Sequence, residues 1–313
     1  MNKPSLILDS GAFSAWTKQT EINIDKYADF CLEHIPYIDF IVNLDVIPGK
    51  FGQKDLPAAE IERSASVGWS NYEHMLKRGI PKEKLIHIFH QGEKFYWLDK
   101  IANAMPYIGL SPANDRTTSE KMQWLDQCME YVCDDKGMPI VKWHGFAVTS
   151  LKLMLRYPWY SVDSTSWVMV ARMGAIYMPR FKNDKWIYDE NSWKITVSSR
   201  SPDKTELGKH IETLPANARE HIEAYLSEKG YKLGKSEFKT VGSKKYKLEE
   251  NERWGRKEKD DGTQEVEMII EDGLCNNYKL RDEVNIIYFL DLEKSMSKWP
   301  WAFKKKGVQK FKL

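Results

Sequence analysis

Over residues 1–180 the chain repeats one pattern: a short apolar run, a polar turn, then a stretch with helical spacing. The apolar runs are Leu6–Leu8, Phe40–Leu44, Leu85–Phe89, Tyr107–Leu110, Ile140–Trp143, Tyr160–Val162 and Ile176–Met178. Each has strand length and is followed by turn residues. Between them, helices are predicted for Ile24–His34, Pro57–Arg78, Ser119–Cys133 and Ser150–Arg156. Asn23 or Asp25 and the run Thr117-Thr118-Ser119 supply start signals, and Gly79 and Pro158 supply stops. Alternating strands and helices build a parallel sheet with right-handed crossovers. Seven strands over some 180 residues predict an α/β fold of the TIM type, a (β/α) barrel, because eight such units occupy roughly 250 residues. The candidate for the eighth strand is Trp193–Val197, after an irregular loop over 181–191.

Beyond Ser198 the rhythm changes. Leu214–Lys229 reads as an amphipathic helix ended by Gly230, and Lys232–Thr263 reads as polar and loop-rich. Arg281–Met296 reads as a second helix with Val284, Ile287, Tyr288 and Leu292 on its apolar face. The expected organisation is a barrel over 1–200 and a helical, basic C-terminal region over 201–313. With 313 residues, 42% of them hydrophobic, the chain can fill one large core and a smaller appendage. A net charge of +2 excludes both an acidic tail protein and a wholly basic nucleic-acid coat. No apolar run reaches the ~20 residues of a membrane span, and the start of the chain is not apolar enough for a signal peptide. Cys31, Cys128, Cys133 and Cys275 form no Cys-x-x-Cys pair, so neither a disulfide framework nor a zinc ribbon is expected. The expectation is a reduced, cytoplasmic protein without a membrane partner, its oligomeric state left open.

Positive charge gathers at the C-terminus. Residues 294–313 hold seven lysines and no acid, interleaved with Trp299, Trp301, Phe303 and Phe311. Lysines meet phosphates and aromatics stack on bases. This makes Lys298, Trp299, Trp301, Lys304, Lys305 and Lys306 candidate nucleic-acid contacts. The plainer alternative is that the tryptophans pack on the barrel.

In barrels, reacting groups sit at the C-terminal ends of the strands. The polar residues closing the predicted strands are Asp9, Asp45, Gln91, Ser111, His144 and Asp163. Three carboxylates at one barrel mouth repel unless they share protons, hold a cation or face a cationic transition state. Any one of them could instead cap a helix, as Asp163 before Ser164-Thr165-Ser166 could. His87 and His90, three apart on a strand, point to opposite faces, and no His-Glu-x-x-His helix occurs. No metal and no cofactor are therefore expected.

At these same residues the sequence resembles the tRNA-guanine transglycosylase superfamily. Leu8-Asp9-Ser10-Gly11-Ala12-Phe13-Ser14 is similar to its Thr-Asp-Ser-Gly-Gly-Phe/Tyr-Gln motif. His90-Gln91-Gly92 resembles Val-Gln-Gly-Gly, and Ile108-Gly109-Leu110 resembles Ile-Gly-Gly-Leu. Trp143-His144-Gly145-Phe146-Ala147-Val148-Thr149 stands where that family carries Met-Gly-Val-Gly-Thr. Ser161-Val162-Asp163-Ser164 stands where it carries its nucleophile, and Asn43-Leu44-Asp45 matches the strand of its base-reading aspartate. The six segments keep the family order, and the overall look is closest to the shorter phage-type and bacterial branch that acts on DNA.

The resemblance implies a barrel and a double displacement. Asp163 would attack the anomeric carbon of a nucleotide, and Asp9 would be the general acid/base. Ser10 and His144 would line the pocket, Phe13 would stack on the base, and Asp45, Gln91 and the Gly109 backbone would read its edge. Two carboxylates flanking a sugar carbon suit an oxocarbenium-like transition state. The family's zinc motif is absent, and Ala12, Ser14 and Ser111-Pro112-Ala113-Asn114 depart from its base-side pattern. The implied function is a DNA glycosylase that releases a base, expected to be a modified one, in a role suited to antiviral defence. Duplex DNA would have to present that base flipped out. The alternatives are a transglycosylase inserting a 7-deazaguanine into DNA, a non-catalytic nucleic-acid-binding barrel, and a metal-dependent hydrolase.

Overall fold

A computed structural model of the chain describes residues 5–50, 52–53, 56–148, 150–201, 205–255 and 258–304. The chain forms two compact units. One runs to Ser164 and includes the chain again from Ser297; the other is Thr165–Met296.

The first unit carries the predicted alternation. Its elements are β1 (Ile7–Leu8), α1 (Ala12–Lys18), α2 (Ile24–His34), β2 (Phe40–Val42), α3 (Ala58–Lys77), β3 (Leu85–His90) and α4 (Phe95–Ala104). There follow β4 (Tyr107–Ser111), α5 (Thr118–Val132), β5 (Lys142–Gly145), α6 (Leu151–Arg156) and β6 (Ser161–Val162). The six strands form one parallel sheet in sequential order β1 to β6. Helix α2 occupies its predicted span, with the Asn23 side chain capping the Lys26 N–H at 3.0 Å. Thr117 and Glu120 make a reciprocal capping box at the start of α5. Ile41, Val42, Ile86, Phe89, Ile108, Leu110 and Trp143 are buried, as expected where helices cover a parallel sheet. The sheet curls into a half-barrel. Asp9 after β1 feels the charge of Asp163 after β6, whereas six flat strands would separate them by ~24 Å.

The second unit departs from the predicted barrel. It begins with α7 (Ser166–Arg172) and β7 (Ala175–Met178), followed by the hairpin β8 (Arg180–Lys182) and β9 (Lys185–Ile187), and then β10 (Trp193–Thr196). The two segments read as seventh and eighth parallel strands pair antiparallel with each other instead, Trp193 opposite Met178 and Thr196 opposite Ala175. The boundary expected near residue 200 thus falls at Thr165. In the hairpin, Asn183 and Asp184 at φ 51° and 55° form the two-residue turn whose twist suits adjoining strands.

After α8 (Ala216–Glu228) come β11 (Lys235–Gly242), β12 (Glu252–Trp254), β13 (Thr263–Glu271) and α9 (Tyr278–Ser295). The stretch predicted as loop-rich holds most of an antiparallel sheet in the order β11-β13-β12. Its polarity is that of a sheet satisfied by cross-strand charge pairs such as Arg253–Glu267, direct register partners on β12 and β13, a signal that strand-by-strand hydropathy does not carry. Ile176, Ile195, Ile222, Tyr225, Leu226 and Val284 form the core of this unit. Arg281 is buried in α9 and donates to the Ala171 carbonyl at 2.7 Å and to the Leu274 carbonyl. Among the described residues, no helix is long and apolar enough to cross a membrane.

Candidate active site

Parallel register brings the C-terminal ends of β1 to β6 to one edge of the sheet, and each predicted carboxylate lies there. Asp9 directly follows β1, Asp45 lies three residues past β2, and Asp163 directly follows β6. His90 closes β3 and His144 lies within β5.

Asp163 is held from the neighbouring strand. Its Oδ1 accepts the Ala147 N–H at 2.7 Å and lies 3.6 Å from His144 Nε2. Its own N–H donates to the Gly145 carbonyl at 3.1 Å. Ala147 aims its amide there from a left-handed backbone, φ 52°, which costs a residue with a Cβ about 1–2 kcal/mol. Gly145 leaves room for this turn, because a Cβ there would stand 2.7 Å from Val148 and 2.9 Å from the Trp159 ring. Burial pushes the Asp163 carboxyl upward, but the His144 contact and the Ala147 amide outweigh it and hold the group below its usual range. Its side chain is 59% exposed, so the anion faces solvent.

Asp9 goes the other way. Burial, and next the negative charge of Asp45, raise its pKa, and Asp163 adds to the same effect. One mouth thus holds a carboxylate favoured as the anion and a carboxyl group inclined to keep its proton.

Asp45 is buried and engaged. Ser10 Oγ donates to its Oδ1 at 3.3 Å, and His90 Nε2 lies 3.0 Å from its Oδ2. The other His90 nitrogen, Nδ1, is 3.0 Å from Glu93 Oε1. Burial alone would lower the His90 pKa; the two carboxylates raise it to about 10. His90 is therefore an imidazolium bridging two buried acids at neutral pH. His90 and Glu93 were not among the sequence-derived site residues, though the spacing His90-Gln91-Gly92-Glu93 carried the signal: a His and a Glu three apart across a glycine. His87, on the opposite face of β3 as predicted, accepts from the Asn43 amide at 2.8 Å and is driven down to about 3 by burial, so it is neutral. Among the described residues, no group of three or more His, Cys, Asp or Glu is arranged to hold a metal ion.

Phe13 lies in the first turn of α1, beyond Gly11, whose left-handed φ of 75° turns the chain from β1 into the helix. Phe13 is 48% exposed, and its ring centroid lies 5.8 Å from that of Trp16. Gln91 follows β3, and its side-chain oxygen accepts the Ala113 N–H at 3.0 Å. Gly109 lies inside β4 rather than at its end. A Cβ there would stand 2.5 Å from the Phe146 ring, so packing explains the glycine.

The C-terminal aromatics lie elsewhere. Trp299 donates its indole N–H to the Pro158 carbonyl at 3.1 Å and packs edge-on against Tyr160. Phe303 stacks on Tyr157 and donates its N–H to the Gly137 carbonyl at 2.8 Å. Pro158 and Tyr160 precede β6 and Gly137 precedes β5, so this segment lines the N-terminal end of the strands, opposite the carboxylates. Trp299, half-buried, makes contacts of the kind the plainer expectation describes. Trp301 is half-buried, Lys298 and Lys304 are exposed, and Lys305 and Lys306 lie outside the described residues. No protein-family model matches the chain, and comparison with curated proteins gives no match.

Proposed function

We propose that the protein cleaves the N-glycosidic bond of a base in DNA through a covalent Asp163–sugar intermediate. The observation that carries this reading is the pair of carboxyl groups at one sheet edge whose pKa values are driven apart, Asp163 down and Asp9 up. That division of roles is what a double displacement at a sugar carbon needs. An Asp163 oxygen bonds to the anomeric carbon as the C–N bond breaks, and the bonding electrons leave with the base, which takes the proton of Asp9. Water then attacks the same carbon. The ester bond breaks back to Asp163, the water's proton passes to the Asp9 carboxylate, and an abasic site remains. The exposed Phe13 supports stacking on an extruded base. The six strands read as the greater part of a (β/α) barrel whose mouth is this edge.

Water is favoured over an incoming 7-deazaguanine by the state of Asp45. Each of its oxygens already accepts one hydrogen bond, from Ser10 and from His90, which leaves it less acceptor capacity for the donor edge of such an acceptor. The test is mass analysis of what the protein releases from DNAs carrying different modified bases. Free base with abasic sites is the expected result. Exchange of one base for another would identify a transglycosylase, and no release from any DNA in the presence of protein that binds it would leave a binding barrel.

A further inference from the structure

The Asp163 carboxylate ends a chain of polar groups that crosses three strands. The Tyr107 hydroxyl on β4 lies 2.5 Å from Ser161 Oγ on β6, and the same Oγ lies 2.5 Å from His144 Nδ1 on β5. His144 and Ser161 are direct register partners in the parallel ladder, so this contact is built into the sheet. The far nitrogen of the ring, Nε2, faces Asp163. His144 and Tyr107 are buried, Ser161 is half-buried and Asp163 opens to solvent.

The chain has a direction. Burial pushes the Tyr107 phenol up to about 12, so it retains its proton. A neutral His144 has one N–H and one acceptor nitrogen. With the proton on Nδ1, the Nε2 lone pair would face the Asp163 anion, which is repulsive. With it on Nε2, every group is satisfied: Tyr107 donates to Ser161, Ser161 donates to Nδ1, and Nε2–H points at Asp163. At 3.6 Å that last contact is long for a hydrogen bond, as catalytic contacts often are before substrate closes them.

We infer that Ser161 and Tyr107 are positioning residues, which lock His144 in its Nε2–H tautomer so that it orients the attacking carboxylate of Asp163. The inference rests on the glycosidic reading for its purpose, while its geometry can be tested without turnover. The charged and titratable groups bearing on Asp163 are His144 on β5 and Asp9 after β1, with Asp45 acting on Asp9; the Ala147 amide adds a fixed donor.

The experiment is NMR on the full chain. Long-range proton–nitrogen spectra, assigned with His144→Gln, report which ring nitrogens of His144 carry protons. Carbon-13 labelling of aspartate carboxyls, assigned with Asp163→Asn, reports the titration of Asp163. The expected tautomer is Nε2–H. In Ser161→Ala the Asp163 midpoint should move up and the tautomers should mix; in Tyr107→Phe both changes should be smaller; Ser161→Thr, which keeps the hydroxyl, should restore the native titration. An Nδ1–H tautomer in the native protein overturns the inference. So does an unmoved midpoint in folded Ser161→Ala or, if that variant does not fold, in Tyr107→Phe. On a DNA substrate the Ser161→Ala loss should fall on kcat, roughly tenfold for a lost charge-linked hydrogen-bond partner, with KM unchanged. Base release surviving in Asp163→Asn would sink the glycosidic reading and leave the NMR result standing, so the two failures are distinguishable.

Discussion

The two ends of the same parallel sheet solve opposite problems. At the C-terminal end four carboxyl groups share one edge: Asp45 and Glu93 flank the His90 imidazolium, Asp163 faces His144, and Asp9 feels the charges of Asp45 and Asp163. At the N-terminal end, Trp299 and Phe303 pack on Tyr160 and Tyr157, and each also donates a hydrogen bond to a backbone carbonyl, Trp299 from its indole and Phe303 from its main chain. The first arrangement crowds like charges together, which works against folding. The second gives aromatic burial with nothing left to react. Substitutions at the two ends should therefore separate activity from folding.

The largest effect belongs to Asp163→Asn. The amide keeps the shape and cannot form the ester, so base release should fall by orders of magnitude. The melting curve should stay close to native, because the group faces solvent. A folded variant with near-native release would break the assignment of this end to catalysis.

Next come Trp299→Ala and Phe303→Ala at the opposite end. Each removes a partly buried ring and should cost about 2–3 kcal/mol, read by denaturant unfolding. Release per folded molecule should be unchanged. Unaltered stability, together with weaker DNA binding and a flatter salt dependence, would return Trp299 to a nucleic-acid role.

A smaller effect is the pH profile. Attack needs ionised Asp163, with its pKa lowered, and departure of the base needs protonated Asp9, with its pKa raised. Both are in the right state between those two values, so kcat/KM should be bell-shaped, rising as Asp163 ionises and falling as Asp9 loses its proton. A profile flat through the acidic range would argue against this pair.

The smallest effect is on stability. The folded-state pKa of Asp9 is raised, so folding is favoured while the group is protonated and weakened as pH climbs from its unfolded to its folded value. Once the pH exceeds the folded-state value the full penalty applies, and Asp9→Asn removes it. The variant should be more stable than the native chain by less than about 1 kcal/mol, since the group is exposed. It should also be severely impaired in release. A destabilised Asp9→Asn would show that its charge is compensated in the folded state.

Local pattern was enough to read the half-barrel. Strand length, alternation and end signals located six parallel strands and the helices α2, α3, α5 and α6 to within a few residues, because hydrophobic period and capping are properties of adjacent residues. The polar residues closing those strands followed from the same reading, so the sequence by itself determined which carboxylates share an edge. It did not determine the partners of Ile176–Met178 and Trp193–Thr196. The same apolar runs can extend a parallel sheet or pair antiparallel with each other, and only tertiary contacts choose. Cross-strand charge pairing, invisible along the chain, likewise turned the polar stretch after Lys232 into a sheet. The electrostatics of the mouth were decided at the same level. His90 meets Asp45 across 45 positions of sequence and Ser161 meets Tyr107 across 54. A proton's position depends on which groups folding brings within about 3 Å and away from water.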